Sequence, residues 1–183
     1  MHASFAKSGK TVPLHAVPAK DLKVFLARFP YLKASGFAAK EGELRLIPGR
    51  KGLAAAVLGL GKSKDALALA EFSEKLPDGL YRLGEVPDFC GGANAALAWL
   101  LGLYQFSRYK KPAKRSLKLM LPDGVDGEDI SRIADNVFLA RDLVNTPPND
   151  MGPEELAAAA ALAKKHGAKF RVVTGKQLAG DYP

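Results

Sequence analysis

Residues 43–60 read ELRLIPGRKGLAAAVLGL, and the two halves of this stretch carry different hydrophobic patterns. Glu43 to Ile47 alternates, with Leu44 and Leu46 on one side and Arg45 on the other, which predicts a half-exposed strand. Leu53 to Leu60 is apolar throughout, and a run this short predicts a central strand covered on both faces. Pro48-Gly49-Arg50-Lys51-Gly52 supplies turn residues between them, so the pair reads as a hairpin. A strand buried on both faces needs a layer on each side of the sheet, and the flanking segments must provide it.

Toward the N-terminus, Thr11 to Val17 reads as a short strand. Pro18 then opens a helix in which Leu22, Phe25, Leu26 and Phe29 follow the 3.6-residue period until Pro30 stops it. Toward the C-terminus, Ser63 is placed to cap a helix running to Leu76, and Pro77-Asp78-Gly79 ends it before a strand from Leu80 to Val86. The span Gly92 to Arg108 reads as a longer helix, apolar on most sides. Gly102 within it costs about 1 kcal/mol of helix propensity relative to Ala, which points to close packing against a neighbour. Ser116 to Leu121 reads as a strand. The acidic run from Asp123 to Asp129 leads into a helix with Ile130, Ile133, Val137, Ala140 and Val144 on one face, broken at Asn145-Thr146-Pro147-Pro148. A further helix is marked at both ends, by Pro153, Glu154 and Glu155 at its start and by Lys164, Lys165, His166 and Gly167 at its finish. Lys169 to Thr174 reads as a strand that must find a partner. About five strands interleaved with helices precede the Pro-Pro break, the pattern of an α/β domain with helices on both sheet faces.

The chain has 183 residues, 48% of them hydrophobic and 25% charged, the balance of an ordinary soluble protein. No apolar run reaches the roughly 18–20 residues that span a bilayer, and the longest, Ala93 to Leu103, has core-like spacing. The N-terminus lacks the apolar stretch of a secretory signal, so a cytoplasmic location without membrane attachment is expected. The single Cys90 excludes an internal disulfide and fits a reducing compartment. The net charge of +8 is unevenly spread. Residues 1–51 hold ten Lys or Arg against Asp21, Glu41 and Glu43, and Arg108, Lys110, Lys111, Lys114, Arg115 and Lys118 make a second basic cluster. Such a surface is either simply solvated or a site for phosphate backbones, which makes nucleic acid a partner to test.

The side chains that carry chemistry are scattered. His2, His15 and His166 are far apart and form no H-E-x-x-H arrangement. Asp123, Asp126, Glu128 and Asp129 have the charge of a calcium loop but not its 12-residue pattern, and helix-start electrostatics accounts for them better. Cys90, beside Gly91-Gly92, is either a small buried residue or a thiol whose pKa the helix start lowers. Gly59-Leu60-Gly61-Lys62-Ser63 has the look of a phosphate loop between strand and helix, without the G-x-x-x-x-G-K-[ST] spacing.

Residues 140–157, ARDLVNTPPNDMGPEELA, resemble the interdomain linker of the leucyl (cytosol) aminopeptidases. Ala98 to Lys110, AWLLGLYQFSRYK, is similar to the segment carrying LGxYxFxRYK in that family. Leu76 to Leu83 is similar to the stretch before it, and Gly175 to Pro183 to the entry into the catalytic core. The likeness covers residues 76–183 well and the first 50 loosely. It implies a macro-domain-like α/β fold, a mixed sheet flanked by helices, over residues 1–125. A linker helix and Pro-Pro break follow over 126–150, and the first helix-strand unit of the catalytic domain over 151–183. It further implies a homohexameric enzyme that releases N-terminal amino acids from peptide substrates. Two divalent ions, Mn2+ or Zn2+, would activate water and polarise the scissile carbonyl. The family's metal ligands lie in a lysine-and-aspartate motif and an NTDAEGR-type motif. Neither is present, since Asn145-Thr146 is followed by Pro147-Pro148, so no catalytic, cofactor-binding or metal residue is assigned. The expectation is the non-catalytic front of a metallopeptidase, ending before its chemistry begins and inactive by itself. The alternatives are a basic nucleic-acid-binding module and, from fold analogy alone, a reader of ADP-ribose.

Overall fold

Strand β4 (Gly52–Gly61) is the two-sided strand expected from its apolar run. Ala56, Leu58 and Leu60 point into one core and Ala55 and Val57 into another, all buried. A computed structural model describes residues 3–181; His2 and the last two residues of the Gly175–Pro183 segment lie outside it. The sheet also contains β1 (Phe5–Ala6), β2 (Val12–Pro18), β3 (Leu44–Gly49), β5 (Gly79–Leu83) and β6 (Leu117–Met120). Their order is β1-β6-β5-β2-β4-β3. The β3–β4 hairpin is antiparallel and every other neighbour is parallel, so the sheet is mixed.

Two helical layers cover the sheet. Helices α1 (Leu22–Arg28) and α2 (Pro30–Ala34) place Phe25 and Leu32 in the core that holds Val57. On the other face, α3 (Ala70–Lys75), α4 (Gly92–Gly102) and α5 (Gly127–Asn145) supply Phe72, Trp99, Leu100, Ile130 and Ala134 around Leu14, Leu58 and Leu119. The chain divides into two compact units, residues 1–138 and 139–183. The second contains α6 (Pro153–Ala160), continued by a tighter 3₁₀ stretch over Ala161–His166, and α7 (Lys176–Asp181).

Several expectations are corrected. Pro30 does not only stop a helix: α1 ends at Arg28, and Pro30 starts α2 from its first-turn position, where a missing N–H costs nothing. The cap before α3 is Asp65, whose carboxylate accepts from the Leu67 amide at 2.8 Å, while Ser63 accepts from the Asp65 amide one step earlier. Helix α4 ends at Gly102 rather than Arg108. The reading of Gly102 as a close-packing position is right, since a β-carbon there would stand 2.3 Å from Ser73 Oγ and 2.4 Å from the Ala70 carbonyl oxygen. Strand β5 stops at Leu83, and β1, only two residues long, adds a sixth strand that its period could not reveal.

Lys169 to Thr174 forms no strand. A strand needs a ladder to join, and every paired strand lies in the first unit, before residue 121. Of the helix-strand unit expected over residues 151–183, the described residues 151–181 show only helix, 3₁₀ turn and irregular chain.

Candidate functional site

The carboxyl ends of β2, β4 and β5 meet at an open cleft of about 840 Å3. Pro18, Lys20 and Asp21 line it beyond β2; Gly61, Lys62, Ser63 and Lys64 beyond β4; Pro87, Asp88 and Phe89 beyond β5. The loop after β4 is tied down by its backbone. The Gly61 amide donates to the Ala39 carbonyl at 2.8 Å, and the Ser63 amide to the Leu60 carbonyl at 3.0 Å. Gly61 adopts φ +57°, a left-handed conformation that glycine accepts without cost. Gly59 is glycine for another reason: a β-carbon there would lie 2.3 Å from the Lys40 carbonyl oxygen. The glycine spacing that resembled a phosphate loop is thus set by the passage of Ala39–Glu41 over the end of β4. Across the cleft, Asn94 Nδ2 donates to the Phe89 carbonyl at 3.2 Å and holds the turn after β5 against the start of α4.

A smaller recess of about 250 Å3 adjoins it, lined by Ala16, Val24, Phe25 and Glu85 together with Pro18 and Pro87. His15 lies under this region, buried, with its ring 5.8 Å from Phe25 and 5.6 Å from Phe29. Its Nδ1 accepts from the Glu85 amide at 3.0 Å, so the proton of the neutral ring is on Nε2. Burial lowers its pKa below the usual histidine value; Glu85 opposes this, and Arg28 and Arg82 reinforce it. His15 is therefore a structural acceptor, and its ring contacts among the described residues are Phe25 and Phe29. His166 ends the 3₁₀ stretch in the second unit and is exposed.

Cys90 is fully buried, and burial pushes its thiol up to about 11, with Asp65 adding to the rise. Of the two readings of this residue, the small buried side chain holds and the helix-lowered thiol does not. Asp126 caps α5, its Oδ1 accepting from the Glu128 amide at 2.9 Å and the Asp129 amide at 3.2 Å, so the acidic run serves a helix start. Among the described residues, no group of three or more His, Cys, Asp or Glu could hold a metal ion. No helix among them is long and apolar enough to cross a membrane. The second basic cluster is divided in its duties. Lys110, Lys111, Lys114 and Lys118 are exposed, whereas Arg115 donates to the carbonyls of Ser73 at 2.7 Å and Glu74 at 3.2 Å, and also to that of Leu76, closing the end of α3.

Residues 12–122, the sheet from β2 to β6 with its connections, match the model of the M17 aminopeptidase N-terminal domain. The chain belongs to the M17 aminopeptidase family. A probable cytosol aminopeptidase of Wolinella succinogenes is 30% identical over 201 positions, taking in 92% of this chain and 41% of the relative. One of Rhizobium etli is 33% identical over 147 positions, with 67% of this chain and 30% of the relative covered. The crystal structure of the cytosol aminopeptidase from Coxiella burnetii superposes with a TM-score of 0.81 at 31% identity, over 98% of this chain and 41% of that one. The bottromycin maturation enzyme BotP shares the fold, with a TM-score of 0.67 at 24% identity. The chain spans less than half the length of each M17 relative named here. Its fold is that of the N-terminal part of a cytosol aminopeptidase.

No single stretch of sequence declares the strand-end cleft. Its signal is in the chain: β2 ends on Pro18, β4 ends on Gly61 and Gly84 follows β5, with charged residues just beyond each.

Proposed function

We propose that this chain is the N-terminal, non-catalytic portion of a cytoplasmic, metal-dependent leucyl aminopeptidase that releases N-terminal amino acids from peptides. The observation that carries the reading is the superposition of 98% of the chain on 41% of the Coxiella burnetii enzyme. In this reading residues 1–125 form the α/β domain, 126–150 the linker helix and Pro-Pro break, and 151–183 the start of the catalytic domain. The enzyme assembles as a homohexamer.

The surface of the second unit supports it. Leu139, Val144, Leu156, Leu162, Val172 and Leu178 are all large apolar side chains left exposed, Val144 by 84%. Full burial of such a side chain is worth roughly 1.5–3 kcal/mol, so a partner surface for this segment would contribute strongly. The catalytic domain of the same polypeptide is the partner we assign. Two divalent ions, Mn2+ or Zn2+, would supply water activation and carbonyl polarisation there. The described residues do not fit such a centre: His15 and Cys90 are buried and committed to packing, and among the described residues no group of three or more His, Cys, Asp or Glu could hold a metal ion. No catalytic step is assigned to them.

Hydrogen exchange tests the assignment of the second unit. Amides from Leu139 to Leu178 should exchange far faster than those of Ala55–Leu60, because little apolar burial holds them. Equal protection of the two segments would make residues 139–178 a self-sufficient unit and overturn the reading.

A further inference from the structure

The cleft at the strand ends sits where the chain changes direction across the sheet. β2 and β4 are parallel neighbours, yet the chain leaves β2 for α1, on one face, and leaves β4 for α3, on the other. Loops leaving adjacent strands toward opposite faces part from each other and open a crevice, and in open α/β sheets ligands bind in such crevices. The volume of about 840 Å3 falls in the range of small-molecule sites. Pro18, Pro87 and Phe89 give it an apolar wall, and five charged side chains surround that wall: Lys20, Lys62 and Lys64 against Asp21 and Asp88. None of the five takes part in an ion pair or side-chain hydrogen bond with any described residue. The loop bearing Lys62 and Lys64 is fixed by the Gly61 and Ser63 backbone bonds, so a ligand would not have to order it.

We propose that this cleft binds a small phosphorylated molecule, with its phosphate between Lys62 and Lys64 and its body against Phe89. Lysine is a strong point-charge partner for phosphate, and the surplus of one positive charge favours an anionic ligand. Asp21 and Asp88 accept hydrogen bonds from hydroxyl or amino groups of the same ligand. The site is independent of peptide hydrolysis and draws on residues of the first unit alone.

The test is titration of the full chain, followed by amide NMR and calorimetry, with ribose 5-phosphate, AMP, adenosine and succinate. Ribose 5-phosphate and AMP should bind, shifting Lys62–Lys64 and Phe89, while adenosine and succinate bind about tenfold more weakly or not at all. Lys62→Glu and Lys64→Glu should each weaken the phosphates about tenfold. Arg50→Glu, in the β3–β4 turn at the other end of β4 and roughly 30 Å away at about 3.3 Å per residue, should leave affinity unchanged. No binding of either phosphate, equal binding of succinate, or an equal loss in Arg50→Glu would overturn the proposal.

Discussion

Gly102 packs so tightly against Ser73 that a β-carbon on it would stand 2.3 Å from the serine hydroxyl oxygen. Helices α3 and α4 owe their close approach to this contact, and both bury their apolar sides on the same core. Gly102→Ala should destabilise the chain by about 1–3 kcal/mol, because the clash outweighs the propensity gain of at most about 1 kcal/mol. Ser73→Ala in the same chain should recover only part, since the Ala70 carbonyl oxygen is also 2.4 Å from the added carbon. Urea unfolding midpoints of the two variants check both statements.

His15 makes stability depend on pH in a definite direction. Its folded-state pKa is lowered by burial, so between that value and the ordinary 6.5 the unfolded chain binds the extra proton and the folded chain does not. Its contribution is therefore complete above pH 6.5 and is lost as pH falls through the folded-state pKa. Protonation would also put a hydrogen on Nδ1, which faces the Glu85 amide. Urea unfolding at pH 7.5 and pH 5 should show a larger loss for the native sequence than for His15→Leu. The leucine variant should be less stable at pH 7.5 by about 1 kcal/mol, having removed the acceptor of the Glu85 amide.

Cys90 should resist thiol reagents in the folded chain and react at once when the chain is unfolded. Its side chain is fully buried and its pKa is about 11, so both access and thiolate are lacking. Ellman's reagent with and without guanidinium measures this directly.

Arg115 closes the C-terminal end of α3, and Arg115→Ala should cost about 1–3 kcal/mol by stranding the part-buried carbonyls of Ser73 and Leu76, while water can take over at the exposed Glu74 carbonyl. Lys114→Ala, one residue earlier and exposed, should change stability by no more than about 0.5 kcal/mol. A comparison of thermal unfolding for the pair separates a structural arginine from a surface lysine.

The hairpin was legible because residues 43–60 carry two unlike periods joined by turn residues, and each period has one physical meaning. Burial on both faces of β4 followed from composition alone. Two elements depart from their sequence pattern for opposite reasons. The apolar spacing of Leu103, Tyr104 and Phe106 runs on after helix α4 has ended at Gly102, and that spacing serves packing, with the Tyr104 ring 5.3 Å from Phe138. In Lys169–Thr174, Phe170, Val172 and Val173 favour a strand, yet a strand requires a neighbour that no single segment can declare. The cleft was illegible because its residues come from three loops, after β2, β4 and β5, that only the sheet order brings together.

The most direct test is an assay of the purified chain for release of p-nitroaniline from leucine p-nitroanilide, with Mn2+, Zn2+ or Mg2+ supplied. No metal-dependent release above the protein-free blank is expected, because the chain carries neither ligand motif and its described acids and histidines do not converge. Metal-dependent turnover that follows the 183-residue chain through removal of contaminating peptidases would contradict that expectation.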